Sequence, residues 1–325
     1  MKKIRFAVVG TNFISDRFVE AVSASQSAEI EAIYSRKLDT GRGFADKYGV
    51  EKVYTDYLSM LSDVLIDAVY VASPTVCHFK HAKAALLADK HVLCEKMITT
   101  AREELSELIA IAGARGLVLL EAMRPDFDPA YELVRESIAR IAPVRRATLE
   151  FCQYSSRYDR FLGGEVLNAF DPKMKNSALA DIGIYPLHTA VALFGSPCAV
   201  SAHSVFLHNG FEGAGNISLD YGDKQVGVVY SKISDSVNPS VIEGERGSLT
   251  IDKISAPTRV TLHPRGESPV TLPLSSIGNN MLYEVEAFAA MVRGESGAES
   301  YLNISLATLA VVEKAYSQTG AAEKM

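Results

Sequence analysis

Short apolar runs alternate with stretches of helical spacing through the first third of the chain. KIRFAVVG (3–10) is an apolar run that stops at Gly10, and SDRFVEAVSAS (15–25) places its apolar residues at helical intervals. EIEAIYS (29–35) is β-rich, and TGRGFADKYG (40–49) reads as a helix ending at Gly49. The alternation continues with SMLSDV, the strand DAVYVASP (67–74), the helix HFKHAKAALLADK (78–90), the strand HVLCEK (91–96), the helix ITTAREELSELIAIAGARG (98–116) and the strand LVLLEA (117–122). A βαβα order of this kind predicts a doubly wound parallel sheet with helices on both faces.

The period changes after MRPDFDP (123–129). One helix, PAYELVRESIARI (129–141), leads into segments that alternate every second residue: RRATLEFCQYS, AVSAHSVFLH, GNISLDYG, KQVGVVYSKI, SVIEGERGSLTI and RVTLHP. YGDK and GERG supply turns between them. A helix near 181–194 interrupts the series, and helices in MLYEVEAFAAMVRG (281–294) and SLATLAVVEKAYS (305–317) close it. The expected organisation is a Rossmann-like α/β domain over 1–122 and an α+β domain with a large, mostly antiparallel open sheet over 123–325. The C-terminal helices are expected to pack back toward the first domain.

Composition narrows the function more than the fold. The 325 residues are 48% hydrophobic and 22% charged, with a net charge of -6, so neither a nucleic-acid backbone nor an anionic membrane is an expected partner. The first apolar run is too short for a signal-peptide core or a membrane span, which predicts a cytoplasmic protein. Cys77, Cys94, Cys152 and Cys198 are widely spaced and expected to be reduced. The histidines show no ligand spacing, so no metal is expected.

The turn after the first strand carries the first candidate chemistry. A dinucleotide fingerprint reads G-x-G-x-x-G, and this chain offers Gly10, then Asn12 and Ser15 at the other two glycine positions. Asn12 tolerates positive φ and Ser15 is small enough for close helix packing, so the tasks of the missing glycines are expected to survive. The second strand ends at Ser35 and Arg36, a hydroxyl and a cation that suit the 2′-phosphate of NADP, where NAD sites commonly place a carboxylate. NADP is the preferred expectation, with NAD as the alternative.

Two further stretches hold groups able to work on a substrate. Glu95 and Lys96 follow the strand HVL, at the carboxyl end where open α/β sheets bind ligands. In LADIGIYPLHTAVALFG (179–195), Asp181, Tyr185 and His188 fall at i, i+4 and i+7 on one face of a helix starting near Asp181. Pro186 predicts a distorted first turn.

Taken together, VVGTNFIS, AIYSRKLDTGRGFADKYG, DAVYVASPTVCHF, KHVLCEKM, LLEAMRPDFDP, DIGIYPLH and VIEGERGSLTI resemble the glucose-fructose oxidoreductase, inositol dehydrogenase and MocA (Gfo/Idh/MocA) family, over essentially the whole chain. The resemblance implies nicotinamide-dependent oxidation or reduction of a sugar, cyclitol or related alcohol, and assembly as a homodimer or homotetramer. It matches Lys96 to the lysine of an E-K-P motif, Asp181 to the aspartate of a D-x-G motif, and Tyr185 to a position held by His or Tyr. Gly10, Thr11, Asn12, Phe13, Ile14, Ser35, Arg36, Ser73, Pro74, His78, Glu95 and Lys96 are expected along the cofactor. Arg157, Asn168, Asp181 and Tyr185 are expected along the substrate. Asn12 and Ser15 depart from the pattern, as do Met97 in place of the motif proline and Asn176-Ser177 where two glycines are common.

Hydride transfer needs a proton moved on the substrate oxygen, which the resemblance assigns to Tyr185 with help from Lys96. A non-catalytic dinucleotide-binding sensor and a nicotinamide-dependent glycosidase are the alternatives on the same fold.

Overall fold

The computed structural model describes residues 3–274 and 277–324. The chain opens with β1 (Ile4–Val9), α1 (Phe13–Ala24), β2 (Ala28–Tyr34), α2 (Leu38–Tyr48), β3 (Lys52–Tyr54), α3 (Tyr57–Leu61) and β4 (Ala68–Val71). It continues through α4 (His78–Leu87), β5 (His91–Glu95), α5 (Arg102–Arg115), β6 (Leu119–Ala122), α6 (Ala130–Ile141), β7 (Val144–Cys152), α7 (Tyr158–Leu162) and α8 (Ile184–Phe194). Seven strands follow: β8 (Ala199–Phe206), β9 (Glu212–Asp220), β10 (Gln225–Ser231), β11 (Ser240–Gly244), β12 (Gly247–Ile251), β13 (Val260–Pro264) and β14 (Val270–Thr271). Helices α9 (Met281–Val292) and α10 (Glu299–Thr319) end the series. Two compact units result, Met1–Arg124 with Ile277–Asn303, and Pro125–Ser276 with Ile304–Met325.

The first unit is a six-stranded parallel sheet in the order β3-β2-β1-β4-β5-β6. Its central strands are largely apolar because helices cover both faces, and every residue of β4 and β6 is buried. Phe6 of β1 is fully buried and meets Phe18 of α1 at 5.3 Å and Phe288 of α9 at 5.4 Å between ring centroids. Helix α9 is tied to this layer by polar bonds as well. The Glu286 carboxylate accepts from the hydroxyls of Ser25 at 2.5 Å and Ser27 at 2.6 Å.

The second unit holds an eight-stranded sheet, β14-β13-β12-β11-β7-β10-β9-β8, antiparallel throughout except where β7 meets β10. Two-residue alternation sends Leu149, Ile217, Val228, Ile242, Leu249 and Leu262 to a buried face. Arg146, His203, Asn216 and Ser218 occupy the other face and stay exposed.

Just before α8 the helix widens into one π-helical turn, Leu179–Gly183, which gives the distortion expected from Pro186 a definite form. A buried carboxylate sets its place. Glu212 accepts from the Leu179 amide at 3.1 Å, the Tyr230 hydroxyl at 2.8 Å and the Ser204 hydroxyl at 2.5 Å. Ser177 caps the same turn, its hydroxyl accepting from the Ala180 amide at 3.0 Å.

Gly183 lies flat on the Tyr230 ring, and an added Cβ would sit 2.6 Å from Tyr230 Cγ and 2.9 Å from Cδ1. Backbone strain plays no part here, since φ is −64°. Gly183→Ala is therefore expected to destabilise the second unit by roughly 1–3 kcal/mol through overpacking. Thermal unfolding checks it, and an unchanged midpoint would show that Tyr230 can yield.

Candidate functional site

In the first unit the chain order turns back between β1 and β4, the switch point at which open sheets bind ligands beyond the strand ends. Gly10 closes β1 with φ of +119°, and a Cβ there would lie 2.6 Å from the Ala72 carbonyl oxygen at the end of β4. Only glycine fits that approach.

Asn12 works differently from the expectation. Its φ of −99° and ψ of 178° are extended, so it does not take the left-handed conformation. It is instead the N-cap of α1: Oδ1 accepts from the Ile14 amide at 3.0 Å and the Ser15 amide at 3.2 Å, while Nδ2 donates to the Ala72 carbonyl at 2.8 Å. The positive φ of the turn is carried by Gly10. Ser15 is fully buried, which agrees with the close packing expected of it. Thr11 and Ile14 are partly buried in the same turn, and Phe13 is 68% exposed, unusual for a phenylalanine.

At the end of β2, Ser35 is buried and its hydroxyl accepts from the Lys37 amide at 3.4 Å, while Arg36 and Lys37 are exposed at the start of α2. The first carboxylate after the strand is Asp39, inside the first turn of that helix. Beyond β4, Ser73 and Pro74 lead into a short 3₁₀ turn.

His78 is almost wholly buried, and its ring meets the Ser73 carbonyl at 2.7 Å and the Met97 carbonyl at 2.8 Å. It therefore binds the loops after β4 and β5 to each other. Burial lowers its pKa, and a neutral ring donates to one carbonyl at a time. Neighbouring His81 is pushed down to about 4 by burial and meets the Ser73 hydroxyl at 2.9 Å.

Lys96 follows β5 on a backbone held by buried groups. Its own amide donates to Glu95 Oε2 at 3.3 Å, and the Ile98 amide donates to Glu121 Oε1 at 2.9 Å. Met97 is buried, and the Lys96–Met97 peptide is cis. Glu95 also accepts from the Tyr70 hydroxyl at 2.5 Å. Burial pushes the Glu95 carboxyl above the usual carboxylate range, while Tyr70 and the charges of Lys96 and Arg124 pull it back.

In the second unit the π turn divides the helix face that the spacing suggested. Asp181 lies in the π turn and Tyr185 and His188 lie in α8, so the regular i, i+4, i+7 register does not hold. His188 is fully buried, with Nε2 2.9 Å from both oxygens of Asp126. Asp181 pairs at 2.7 Å with the ammonium of Lys232. Tyr185 is buried, its ring 5.8 Å from that of Phe151. Arg157 is exposed at the start of α7, and Asn168 is exposed at the start of a 3₁₀ turn, Asn168–Phe170.

Lys232 is the residue that the sequence reading missed. It continues the phase of Val226, Val228 and Tyr230, all buried, and a lysine on the apolar phase of a strand was the available signal. Among the described residues no group of three or more His, Cys, Asp or Glu side chains has metal-holding geometry, and no helix is long and apolar enough to cross a membrane.

A family described as an oxidoreductase family with an NAD-binding Rossmann fold matches residues 4–123. The chain is 39% identical over 320 residues to scyllo-inositol 2-dehydrogenase (NADP(+)) of Bacillus subtilis, covering 98% of this chain and 97% of that protein. The chain belongs to the Gfo/Idh/MocA family. It is thereby an NAD(P)-dependent oxidoreductase acting on CH–OH groups. Trans-1,2-dihydrobenzene-1,2-diol dehydrogenase of Mus musculus is 29% identical over 270 residues, 80% of this chain and 78% of that one. Among solved structures, a 3-ketoreductase from Actinomadura kijaniata in complex with NADP and TDP-benzene superposes with a TM-score of 0.88 at 24% identity over 98% of each chain, a likeness of fold.

The residues of the first unit fit the family's dinucleotide. Gly10 gives the tight turn, Asn12 orders the N-terminus of α1, and Ser35 with Arg36 follows directly on the second strand. Asn12→Asp should keep the cap, because a carboxylate accepts from the same two amides, but it loses the donor to Ala72 and sets an anion where the phosphates approach. Calorimetric titration with NADP+ should show affinity reduced roughly tenfold or more, about 1.4 kcal/mol, with the melting temperature nearly unchanged. Unchanged affinity would place the phosphates elsewhere.

Proposed function

We propose that this protein is an NADP-dependent dehydrogenase of a cyclitol or related polyol. The full-length likeness to scyllo-inositol 2-dehydrogenase (NADP(+)) carries the reading. The lack of a carboxylate at the end of β2, where Ser35 is followed by Arg36 and Lys37, supports NADP over NAD. A homodimer or homotetramer accompanies the reading on the strength of the resemblance, and a cytoplasmic location is proposed with it.

A nicotinamide held at the turn after β1 would supply the hydride acceptor for oxidation and the donor for reduction. Tyr185 is assigned the proton: as base it takes the proton of the reacting hydroxyl, and as acid it returns a proton to the carbonyl oxygen. An ammonium favours a nearby phenolate, the role assigned to Lys96. Asp181 accepts from a substrate hydroxyl and so orients the ring. Arg157 and Asn168 complete the substrate contacts in this reading.

Steady-state assays with NADP+ and NAD+ against scyllo-inositol, myo-inositol, D-glucose and D-xylose test the substrate class. Oxidation of a cyclitol with NADP+ preferred is expected, and Arg36→Ala should weaken NADP+ more than NAD+. Preference for NAD+, or action on neither inositol, would overturn the reading.

Tyr185→Phe retains the ring and its packing on Phe151 but removes the proton-carrying oxygen. Turnover should fall roughly 10²-fold or more with folding and cofactor affinity preserved. Lys96→Met should also slow turnover, and the double variant should lose little beyond the worse single one if the pair acts as a unit. Turnover of Tyr185→Phe at the parental rate would reduce Tyr185 to packing.

A further inference from the structure

Lys232 lies just past the end of β10, on the buried side of the sheet, its backbone amide donating to the Gly213 carbonyl at 2.8 Å. An ammonium brought into an apolar layer stays charged only when other groups replace its water. Here they do: Nζ donates to the Ala169 carbonyl at 2.7 Å, pairs with Asp181 Oδ2 at 2.7 Å, and stands 4.8 Å over the Phe170 ring and 5.2 Å over the Phe211 ring. The aromatic faces stabilise the cation and the packing around them limits its rotamers.

The two ends of the ion pair differ in exposure. The Lys232 side chain is 4% exposed and that of Asp181 is 36% exposed, so the lysine lies behind the carboxylate as seen from solvent. Through Ala169 the same ammonium also holds the turn that begins at Asn168, which itself rests on buried Phe161, Phe170 and Phe211. One buried cation thus joins the two segments that supply Asp181 and Asn168.

We propose that Lys232 is a positioning residue that fixes Asp181 and the Asn168 turn as one polyol-binding element; the proposal rests on the reading of Asp181 as a substrate contact. Lys232 does not touch substrate. Its effect passes through the aim of the Asp181 carboxylate, and small misplacements of such groups are costly, up to about 10²-fold in rate.

The test is a double-variant cycle of Lys232→Met and Asp181→Asn. It is read in kcat/KM with NADP+ on the best substrate among scyllo-inositol, myo-inositol, D-glucose and D-xylose. Lys232→Met should lower kcat/KM by roughly 10- to 10²-fold, leave NADP+ affinity unchanged, and add little in the Asp181→Asn background. Lys232→Arg should restore part of the loss. Lys232→Gln, which keeps a donor for Ala169 without the charge, replaces the methionine variant if thermal unfolding shows that variant misfolded. A Lys232 variant at parental kcat/KM, or losses that multiply in the double variant, would overturn the proposal while leaving Asp181 in its role. If Asp181→Asn alone is fully active, or the parent oxidises none of the four substrates, the reading of Asp181 falls and the proposal with it.

Discussion

A carboxylate withdrawn from water must be met by donors, and both units use that requirement to fix the turns that carry their proposed site residues. In the second unit Glu212 receives the first amide of the π turn together with two hydroxyls. In the first, Glu121 receives the Ile98 amide and Glu95 receives the Tyr70 hydroxyl and the Lys96 amide. A shift of either turn by one residue would take an amide donor away from a buried carboxylate. Losing such a donor to a buried acceptor typically costs about 1–3 kcal/mol, so each turn has one favourable register.

That comparison of magnitudes explains how the chain manages without proline at position 97. A compatible proline contributes only about 0.4–1 kcal/mol, mainly through the unfolded chain. The anchors on both sides of Met97 are worth more: His78 on its carbonyl, Glu121 on the next amide, and Glu95 on the preceding one. The same logic applies to Asn176-Ser177 in the other unit, where the Ser177 hydroxyl bonds the Ala180 amide and the Tyr316 hydroxyl, work no glycine side chain performs.

The long elements were legible because period carries their environment: continuous apolar runs such as AVYV lie between helix layers, and strict alternation such as VGVVYS lies on a one-sided sheet. Short ones such as β3, α7 and β14 were not, since two to five residues contain too little of any period. At the site, residue types were legible and geometry was not. Asparagine suits both a left-handed turn and an N-cap, and only the position of Ala72, sixty residues on, decides that Asn12 is a cap. The face shared by Asp181, Tyr185 and His188 presumed 3.6 residues per turn, and the π turn breaks that period.

The second unit holds two pairs of a nitrogen base and a carboxylate close to these positions, and burial separates their capacities. Asp126 is 4% exposed and both its oxygens lie 2.9 Å from His188, which is itself inaccessible. Such a pair can hold α8 against the segment before α6, and no ligand can reach it. Asp181 is matched to an equally buried cation, yet a third of its side chain faces water. A carboxylate that is fixed from behind and open in front keeps its aim without spending its whole surface on the protein. Of the two, only Asp181 can exchange solvent for the hydroxyls of a polyol.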